Sequence, residues 1–263
     1  MRAARPAARV GIAMIPSLAP CFAGALAPYA ALVREEPEAP DALPGRALRD
    51  AATLRELVGR FGAAYPGADR RAVVSLWTQW YFAALIVPAV AALIRLDRAL
   101  PLGLDEVRLD LRENGTPAAF LVAHDGVPAA DGAARFAALV EGHVEPLVAQ
   151  LSALFGVPRR VLWTNVAVLV DWTMREVEAC GACRAGPLAE CRALLAVRDR
   201  ACGAANPLCG ALRRTPCAAG TASGETSGMV CRRRVCCLRY KLPGVPSCGD
   251  LCPLDEGKRR ADP

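Results

Sequence analysis

Histidine and aromatic residues are scarce in this chain of 263 residues, which contains two histidines and 5% Phe, Trp and Tyr. The sequence also has no Ser/His/Asp arrangement, no glycine-rich phosphate loop and no dinucleotide-binding fingerprint. These absences give no support to a triad hydrolase, a P-loop ATPase or a nicotinamide-dependent dehydrogenase. His124 and His143 are expected to be structural or surface residues rather than metal ligands. Trp77, Trp80 and Tyr81 share one helical face, where core packing is expected rather than stacking on a ligand.

Long uninterrupted apolar runs are also missing. Residues 10–33 are uncharged, but Pro16, Pro20 and Pro28 interrupt them, and a proline inside a helix costs about 3 kcal/mol. Residues 82–94 form a second apolar stretch, which is shorter than the roughly 20 residues of a membrane-spanning helix. We therefore expect a soluble, cytoplasmic protein whose N-terminal segment is irregular and packs on the domain.

The charge is weak as well. A net charge of +6 with a pI near 8.8 is too small and too dispersed to predict nucleic-acid binding. A hydrophobic fraction of 54% excludes a disordered chain. The composition therefore predicts a globular protein without a nucleic-acid partner.

Apolar spacing and capping residues predict a mostly helical α+β domain, in which Asp69 and Asp131 are N-caps. The predicted helices cover residues 48–64, 69–98 (kinked or broken near Pro88), 131–154 (with Pro146 as a kink), 159–177 and 187–200. Asn114-Gly115 favours a two-residue turn between two alternating strands, so one β-hairpin is expected. Its predicted pairs are Leu111 with Ala118, Leu109 with Phe120, and Val107 with Val122.

The twelve cysteines are unevenly distributed, because Cys21 is the single one before Cys180. A chain of this length buries a core without disulfides, so clustered thiols in a cytoplasmic protein are predicted to be metal ligands or redox groups. The abrupt rise in cysteine content from Cys180 onward predicts that the chain consists of two parts. Residues 1–205 form the mostly helical domain, and residues 206–263 form a loop-rich cysteine appendage.

Cys236, Cys237, Cys248 and Cys252 lie close enough in sequence to meet around one metal centre, because the Pro243-Gly244 region lets the chain turn back. Four thiolates suit zinc and iron–sulfur clusters alike. Zinc is the commoner use of four cysteines, whereas the side chains of a vicinal pair diverge, which is unusual for a structural zinc site. The spacing alone leaves both open.

Positive charge accompanies these cysteines, and no acidic residue occurs between Met229 and Gly249. Cations beside an anionic cluster favour its reduced form and attract an anionic substrate or partner. The alternative is that they solvate a loop. The residues predicted to dock the substrate are Arg232, Arg233, Arg234, Arg239 and Lys241.

The cysteine motif resembles that of the siderophore-iron reductases of the FhuF type, because Cys236-Cys237 is followed by Leu238-Arg239-Tyr240, Leu242-Pro243, Cys248 and Cys252-Pro253. The resemblance covers nearly the whole chain, although the cysteine motif alone is highly specific. Further similar positions are Leu18-Ala19-Pro20 with Gly24, Ser75-Leu76-Trp77 with Gln79 and Tyr81-Phe82, Trp163 with Asn165-Val166-Ala167, and Asn206-Pro207-Leu208.

The resemblance implies a 2Fe-2S cluster held by Cys236, Cys237, Cys248 and Cys252, which passes one electron to ferric iron in a siderophore. Siderophores are hard oxygen chelators that bind Fe(III) far better than Fe(II), so reduction makes the iron exchangeable. One departure is the spacing of the last two cysteines. The family has two residues there and this chain has three.

The resemblance therefore implies an oxidoreductase of iron transport that acts on a ferric siderophore in the cytoplasm with an electron from a separate donor. Imported chelates arrive at the inner membrane, so transient peripheral association there is compatible with this function. The rival hypothesis is a non-redox siderophore- or protein-binding module with a structural zinc site of the same four cysteines. The remaining cysteines, including Cys180 and Cys183, are expected to be small apolar fillers rather than a second site.

Overall fold

The computed structural model describes residues 14–35, 40–181, 183–200, 203–216 and 229–254. Within these ranges the fold is α+β and mostly helical, as predicted. The helices are α1 (Ala51–Gly62), α2 (Arg70–Arg95), α3 (Ala137–Leu139), α4 (Glu145–Phe155), α5 (Arg159–Ala179) and α6 (Ala185–Ala196). The strands are β1 (Val33–Glu35), β2 (Leu43–Pro44), β3 (Arg98–Ala99), β4 (Arg108–Leu111), β5 (Pro117–Val122), β6 (Val127–Pro128), β7 (Leu212–Pro216) and β8 (Met229–Arg233).

Helix α2 is the centre of the core and packs along α5. Asp69 caps it as predicted, because its carboxylate accepts from the N–H of Arg71 at 2.9 Å. The helix runs unbroken through Pro88, so the predicted break is wrong and the alternative, a kink, stays a prediction; burial of the residues on both sides outweighs the lost hydrogen bond. By length and composition α2 could span a membrane, but 83% of its apolar window is buried inside the fold.

A mixed four-stranded sheet, in the order β1-β5-β4-β2, packs beside α2. The predicted pair Leu109–Phe120 is confirmed. The pair Leu111–Ala118 is wrong, because the register shifts after Asp110 and Leu111 lies opposite Pro117. Strand β4 begins at Arg108, so the pair Val107–Val122 is not formed; the carbonyl of Val107 accepts from Gly45 instead. The bulge shifts the register of the strand end that faces the turn.

Gly115→Ala is expected to lower the free energy of unfolding by more than about 2 kcal/mol. Gly115 has a φ of +75°, and an added Cβ would meet the carbonyl oxygen of Leu57 at 2.4 Å. Gly59→Ala is the matched control, since Gly59 lies in α1 with nothing within 4 Å of an added Cβ and should gain about 0.5–1 kcal/mol. Urea unfolding measures both, and an equally stable Gly115→Ala variant would contradict the close approach.

Two segments of the chain form 3-10 helices or a π-turn rather than long α-helices. Three-ten helices at Pro16–Cys21 and Gly24–Leu32 pack on α2, which confirms an irregular N-terminal segment packed on the domain. The predicted helix from Asp131 starts instead as a 3-10 helix without a side-chain cap and widens into a π-turn at Val140–Val144. Pro146 follows that turn in the first turn of α4, where its missing N–H needs no intrahelical partner.

The aromatic cluster and the histidines divide between core and surface. Trp77 and Tyr81 are fully buried as predicted, whereas Trp80 is 59% exposed, so its assignment to the core is wrong. His143 is a buried structural residue: its Nδ1–H donates to the carbonyl of Leu102, and its Nε2 lies 2.6 Å from the Tyr81 hydroxyl. His124 accepts from a backbone N–H in an exposed turn, which also agrees with the prediction.

The free energy of unfolding is expected to fall as the pH drops from 6.5 toward 4, by up to about 3 kcal/mol from His143 alone. Burial lowers the pKa of His143 from 6.5 to about 4. The unfolded chain therefore binds the proton first, and acid favours unfolding over this range. Urea unfolding at pH 7 and pH 5 measures the slope, which His143→Gln should reduce because glutamine does not titrate. Equal slopes in both proteins would contradict the shift.

The C-terminal part contains more regular structure than predicted. Strands β7 and β8 form an antiparallel hairpin in which Leu212 lies opposite Arg233. The sequence shows little apolar alternation here, because the inward positions carry arginine and cysteine. The hairpin and the following loop pack on α2 and α5.

Candidate iron–sulfur site

The four predicted ligands lie on the loop that follows β8. Cys237 and Cys252 are buried, and Cys236 and Cys248 are half-buried. The sulfur atoms of Cys237 and Cys248 are 3.8 Å apart. Across the described ranges, no three His, Cys, Asp or Glu side chains are gathered around a point that would hold a single metal ion.

The extra residue between the last two cysteines is taken up by a short turn. Gly249–Leu251 form a 3-10 helix, and the N–H of Cys252 donates to the carbonyl of Gly249 at 3.0 Å. Gly249 has a φ of +58°, a conformation that glycine adopts without strain. The turn returns Cys252 to the interior, so the departure from the family spacing leaves this thiol on the same loop as the other three.

The surroundings favour a negative charge on sulfur. Hydrogen bonds from the thiols of Cys236 and Cys248 lower the pKa of Cys237 far below its usual value, with help from the guanidinium of Arg233 and the backbone N–H of Arg239. The same interactions raise the pKa of the Cys236 and Cys248 thiols. The N–H of Leu238, which has a φ of +62°, donates to the sulfur of Cys236 at 3.3 Å. Thiol donors, a backbone amide and one cation thus stabilise a thiolate at Cys237.

A buried polar network fixes the loop to helices α2 and α5. The Ser75 hydroxyl donates to the carbonyl oxygen of Cys237 at 2.7 Å. The Asn165 amide nitrogen donates to the carbonyl of Ser75 at 3.1 Å and to the Thr78 hydroxyl at 3.0 Å. The Asn165 amide oxygen accepts from Arg233 at 2.6 Å. Both functional atoms of Asn165 are therefore used, and they join α2, α5 and β8 at one point.

Arg233 places a buried positive charge beside the cysteines. Its exposed fraction is 4%, and burial lowers its pKa while the sulfurs of Cys237, Cys248 and Cys236 oppose that shift. Of the described groups, none accepts a hydrogen bond from its Nε or from the buried Nε of Arg239. The site therefore offers free thiols, backbone amide donors and two buried Nε–H groups without a described acceptor. This set of groups fits a negatively charged cluster bound by thiolates.

The five cations predicted to dock the substrate fall into two groups. Arg233 points to Asn165, Arg239 donates to the Gln79 side-chain oxygen at 2.7 Å, and Lys241 lies 3.4 Å from the Asp69 carboxylate. These three bind the core helices. Arg232 and Arg234 are exposed and remain available for docking.

The other cysteines are scattered. Cys21 and Cys191 are buried, and burial raises the pKa of each to about 12. Cys231 lies on β8 beside Asp171 and Arg214, where burial raises its pKa. Cys180, Cys183 and Cys209 are exposed or half-buried free thiols, and Cys202 and Cys217 lie outside the described residues. The buried positions of Cys21 and Cys191 agree with filler roles, whereas Cys180 is exposed and is not a core filler; for the other extra cysteines the filler role stays a prediction.

Sequence reasoning missed Asn165, Ser75 and Gln79 as supports of the cysteine loop. All three belong to the stretches that resemble the FhuF type, and this was the signal available for them. Asp171 was also missed; it is buried in α5 and pairs with Arg214 of the hairpin and with Arg175. A carboxylate inside a predicted apolar helix indicates such a partner.

Comparison with known proteins agrees with this geometry. A family model described as ferric iron reductase FhuF-like transporter matches residues 75–220, and another, described as FhuF 2Fe-2S C-terminal domain, matches residues 233–254, which include all four cysteines. A ferric siderophore reductase of Escherichia coli (strain K12) is 27% identical over 190 residues, which cover 71% of this chain and 67% of that protein.

A solved structure, ATP-bound aerobactin synthetase IucA from a hypervirulent pathotype of Klebsiella pneumoniae, has a TM-score of 0.51 at 13% identity. The match covers 64% of this chain but 37% of the synthetase, and it shows a similar fold alone. The first family model covers more than half of the chain. The protein therefore belongs to the FhuF-like ferric iron reductase family and is an oxidoreductase with a C-terminal 2Fe-2S domain.

Proposed function

We propose that this protein is a ferric-siderophore reductase, which transfers one electron to siderophore-bound Fe(III) and releases the iron as Fe(II). The observation that carries the proposal is the cysteine loop, anchored on α2 and α5 with a buried arginine beside its sulfurs, inside a segment that matches a 2Fe-2S domain. The name of the Escherichia coli relative supports the substrate class.

Cys236, Cys237, Cys248 and Cys252 are the residues that would hold the cluster. When bound, a 2Fe-2S cluster supplies one-electron oxidation and reduction. The chain's own residues then have three tasks. Ser75 and Asn165 hold the loop in place, Arg233 offsets negative charge on the sulfurs, and the half-buried positions of Cys236 and Cys248 keep the site close to the surface where a chelate arrives.

The substrate chemistry explains why one electron suffices. Hydroxamate, catecholate and carboxylate chelators present hard oxygen atoms, which bind Fe(III) much more tightly than Fe(II). Reduction therefore weakens the complex without a general acid or a nucleophile. This agrees with a site built from thiols and cations rather than from histidines and carboxylates.

The proposal includes the cellular setting and the division of the chain. Residues 206–263 form the cluster-binding region and residues 1–205 the ferric-siderophore-reductase-like domain. The reaction takes place in the cytoplasm during iron transport, with transient association at the inner membrane where imported chelates arrive. A separate donor supplies the electron, since the sequence has no dinucleotide-binding fingerprint.

The test is the visible spectrum of anaerobically purified protein together with its metal content. We expect a brown protein with two iron atoms and two sulfide ions per chain, as the formula of the cluster requires. Dithionite should bleach it, and a ferric hydroxamate should restore the colour while Fe(II) appears in a chelator assay. A colourless protein with stoichiometric zinc would support the structural zinc module instead. A brown protein that ferric hydroxamate does not reoxidise would exclude ferric hydroxamates as substrates.

A further inference from the structure

Three arginines without a described acidic partner share the outer face of the β7–β8 hairpin. Arg213 lies directly opposite Arg232 in the register of the two strands, and both are exposed. Arg234 follows two residues later on the same side, and its N–H continues the ladder to the carbonyl of Ala211 at 3.0 Å. We call these three residues the basic face. Across the described ranges, no ion pair or hydrogen bond involves their side chains.

The inner face of the same hairpin is different, because its cations are partnered. Arg214 pairs with the buried Asp171 of α5, and Arg233 donates to Asn165. The alternation of the strands therefore sorts the arginines into two groups. Those that face inward attach the hairpin to the core, and those that face outward have no such task.

The basic face has an energetic cost within the folded chain. Like charges directly opposite each other on two strands destabilise the pair. No carboxylate on the described neighbouring strand offsets this cost. A cross-strand pair of arginines at this position favours a negatively charged group against the outer face of the hairpin.

The position of the basic face relates it to electron transfer. Strand β8 carries Arg232 and leads directly into the Cys236-Cys237 pair, and Arg233 between them lies in the field of the same sulfurs. A partner bound at the basic face is therefore held next to the cysteine loop. We infer that this face docks the electron donor, a protein with an acidic surface that carries one electron at a time. The inference rests on the proposed function.

A flat strand surface favours a protein over the ferric chelate as the occupant. Small-molecule sites are concave. The nearby cleft of about 360 Å³ lies on the other side of β7, where it is lined by Leu208, Leu212 and Arg214. Electron-transfer complexes, in contrast, have small interfaces and depend on charge complementarity for fast encounter. Three guanidinium groups that have no acidic partner among the described residues provide that complementarity.

The transfer itself balances simply. The reduced donor would lose one electron to a cluster held by the four cysteines, and Fe(III) in the chelate would gain that electron and become Fe(II). No proton transfer or bond formation is needed at the basic face.

The experiment uses the intact protein with its cluster and a bacterial flavodoxin as the acidic one-electron donor. Stopped-flow spectroscopy follows oxidation of the flavodoxin hydroquinone by the wild type, by Arg213→Gln/Arg232→Gln, and by the matched control Arg46→Gln/Arg55→Gln. The control removes the same charge from exposed positions on and before α1. Reduced methyl viologen, a small cation, serves as a second reductant. A separate arm measures reoxidation of the reduced protein by a ferric hydroxamate and by an anionic ferric tris-catecholate.

We expect the basic-face variant to react at least tenfold more slowly with flavodoxin at low ionic strength, with a weaker salt dependence. The control should match the wild type, and methyl viologen should reduce all three proteins at rates within a factor of two. Equal flavodoxin rates in all three would overturn the inference. Slower reoxidation by the catecholate with an unchanged flavodoxin rate would also overturn it, in favour of chelate docking. If neither ferric chelate reoxidises the reduced wild type, the proposed function is refuted. The flavodoxin rates still test the inference in that case.

Discussion

Cys237→Ser is expected to abolish or strongly perturb the visible spectrum of the cluster, whereas Cys183→Ser should leave it unchanged. Cys237 has an exposed fraction of 2%, and its sulfur receives hydrogen bonds from two thiols and a backbone amide. A serine hydroxyl at this position is not deprotonated at neutral pH, so one thiolate ligand is lost. Cys183 lies between α5 and α6, where it packs against the core as a half-buried filler.

The measurement combines iron and sulfide content with visible absorption and circular dichroism. Folding is checked separately by far-UV circular dichroism, which should be the same in both variants because the Ser75 hydroxyl bonds to the backbone of residue 237 and not to its side chain. Equal loss of cluster from Cys237→Ser and Cys183→Ser would mean that the ligands are wrongly assigned. A Cys252→Ser variant extends the test to the ligand with the unusual spacing.

Local patterns in the sequence predicted most helices, since capping and apolar periodicity are properties of neighbouring residues. The long helix capped by Asp69 and the helix over 159–177 agree with α2 and α5 within a few residues. The predictions fail where contacts between residues distant in sequence determine the structure. Pro88 does not break α2, because buried residues on both sides hold the helix together.

The hairpin at Asn114-Gly115 was also predicted correctly only where neighbouring residues determine its structure. Two-residue turn chemistry gave the correct pairing of Leu109 with Phe120. It did not reveal that Gly115 packs on the backbone of α1 and accepts from the indole of Trp77 at 3.0 Å. Those tertiary contacts accompany a longer turn with a bulge, and the register at Leu111 differs accordingly.

The candidate site was predictable as a set of ligands but not as an anchored structure. The spacing of the cysteines identified the loop. The network that holds it joins Ser75, Asn165 and Arg233, which are far apart in the chain, and no periodicity or motif spacing relates them. For the same reason the sequence grouped Arg232, Arg233 and Arg234 together. The alternation of β8 separates the buried Arg233 from its two exposed neighbours.

Arg233→Met is expected to shift the midpoint potential of the cluster to more negative values, whereas Arg234→Met should change it little. The buried guanidinium stabilises negative charge on the sulfurs, and the reduced cluster carries one more negative charge than the oxidised one. A nearby charge in a partly buried site contributes up to about 4 kcal/mol, less at longer range. In a one-electron couple about 59 mV corresponds to a tenfold change, so the expected shift is tens of millivolts to on the order of 100 mV.

Arg234→Met is a stringent control because the residue is adjacent in sequence and carries the same charge, but it is exposed to solvent. Water and salt screen an exposed cation, so its effect on the potential is small. Spectroelectrochemical titration gives both potentials, and iron content confirms that each variant retains its cluster. Equal shifts in the two variants would show that net charge near the hairpin sets the potential. A shift confined to Arg233→Met shows instead that the potential depends on the one guanidinium that α5 holds through Asn165 against the sulfurs.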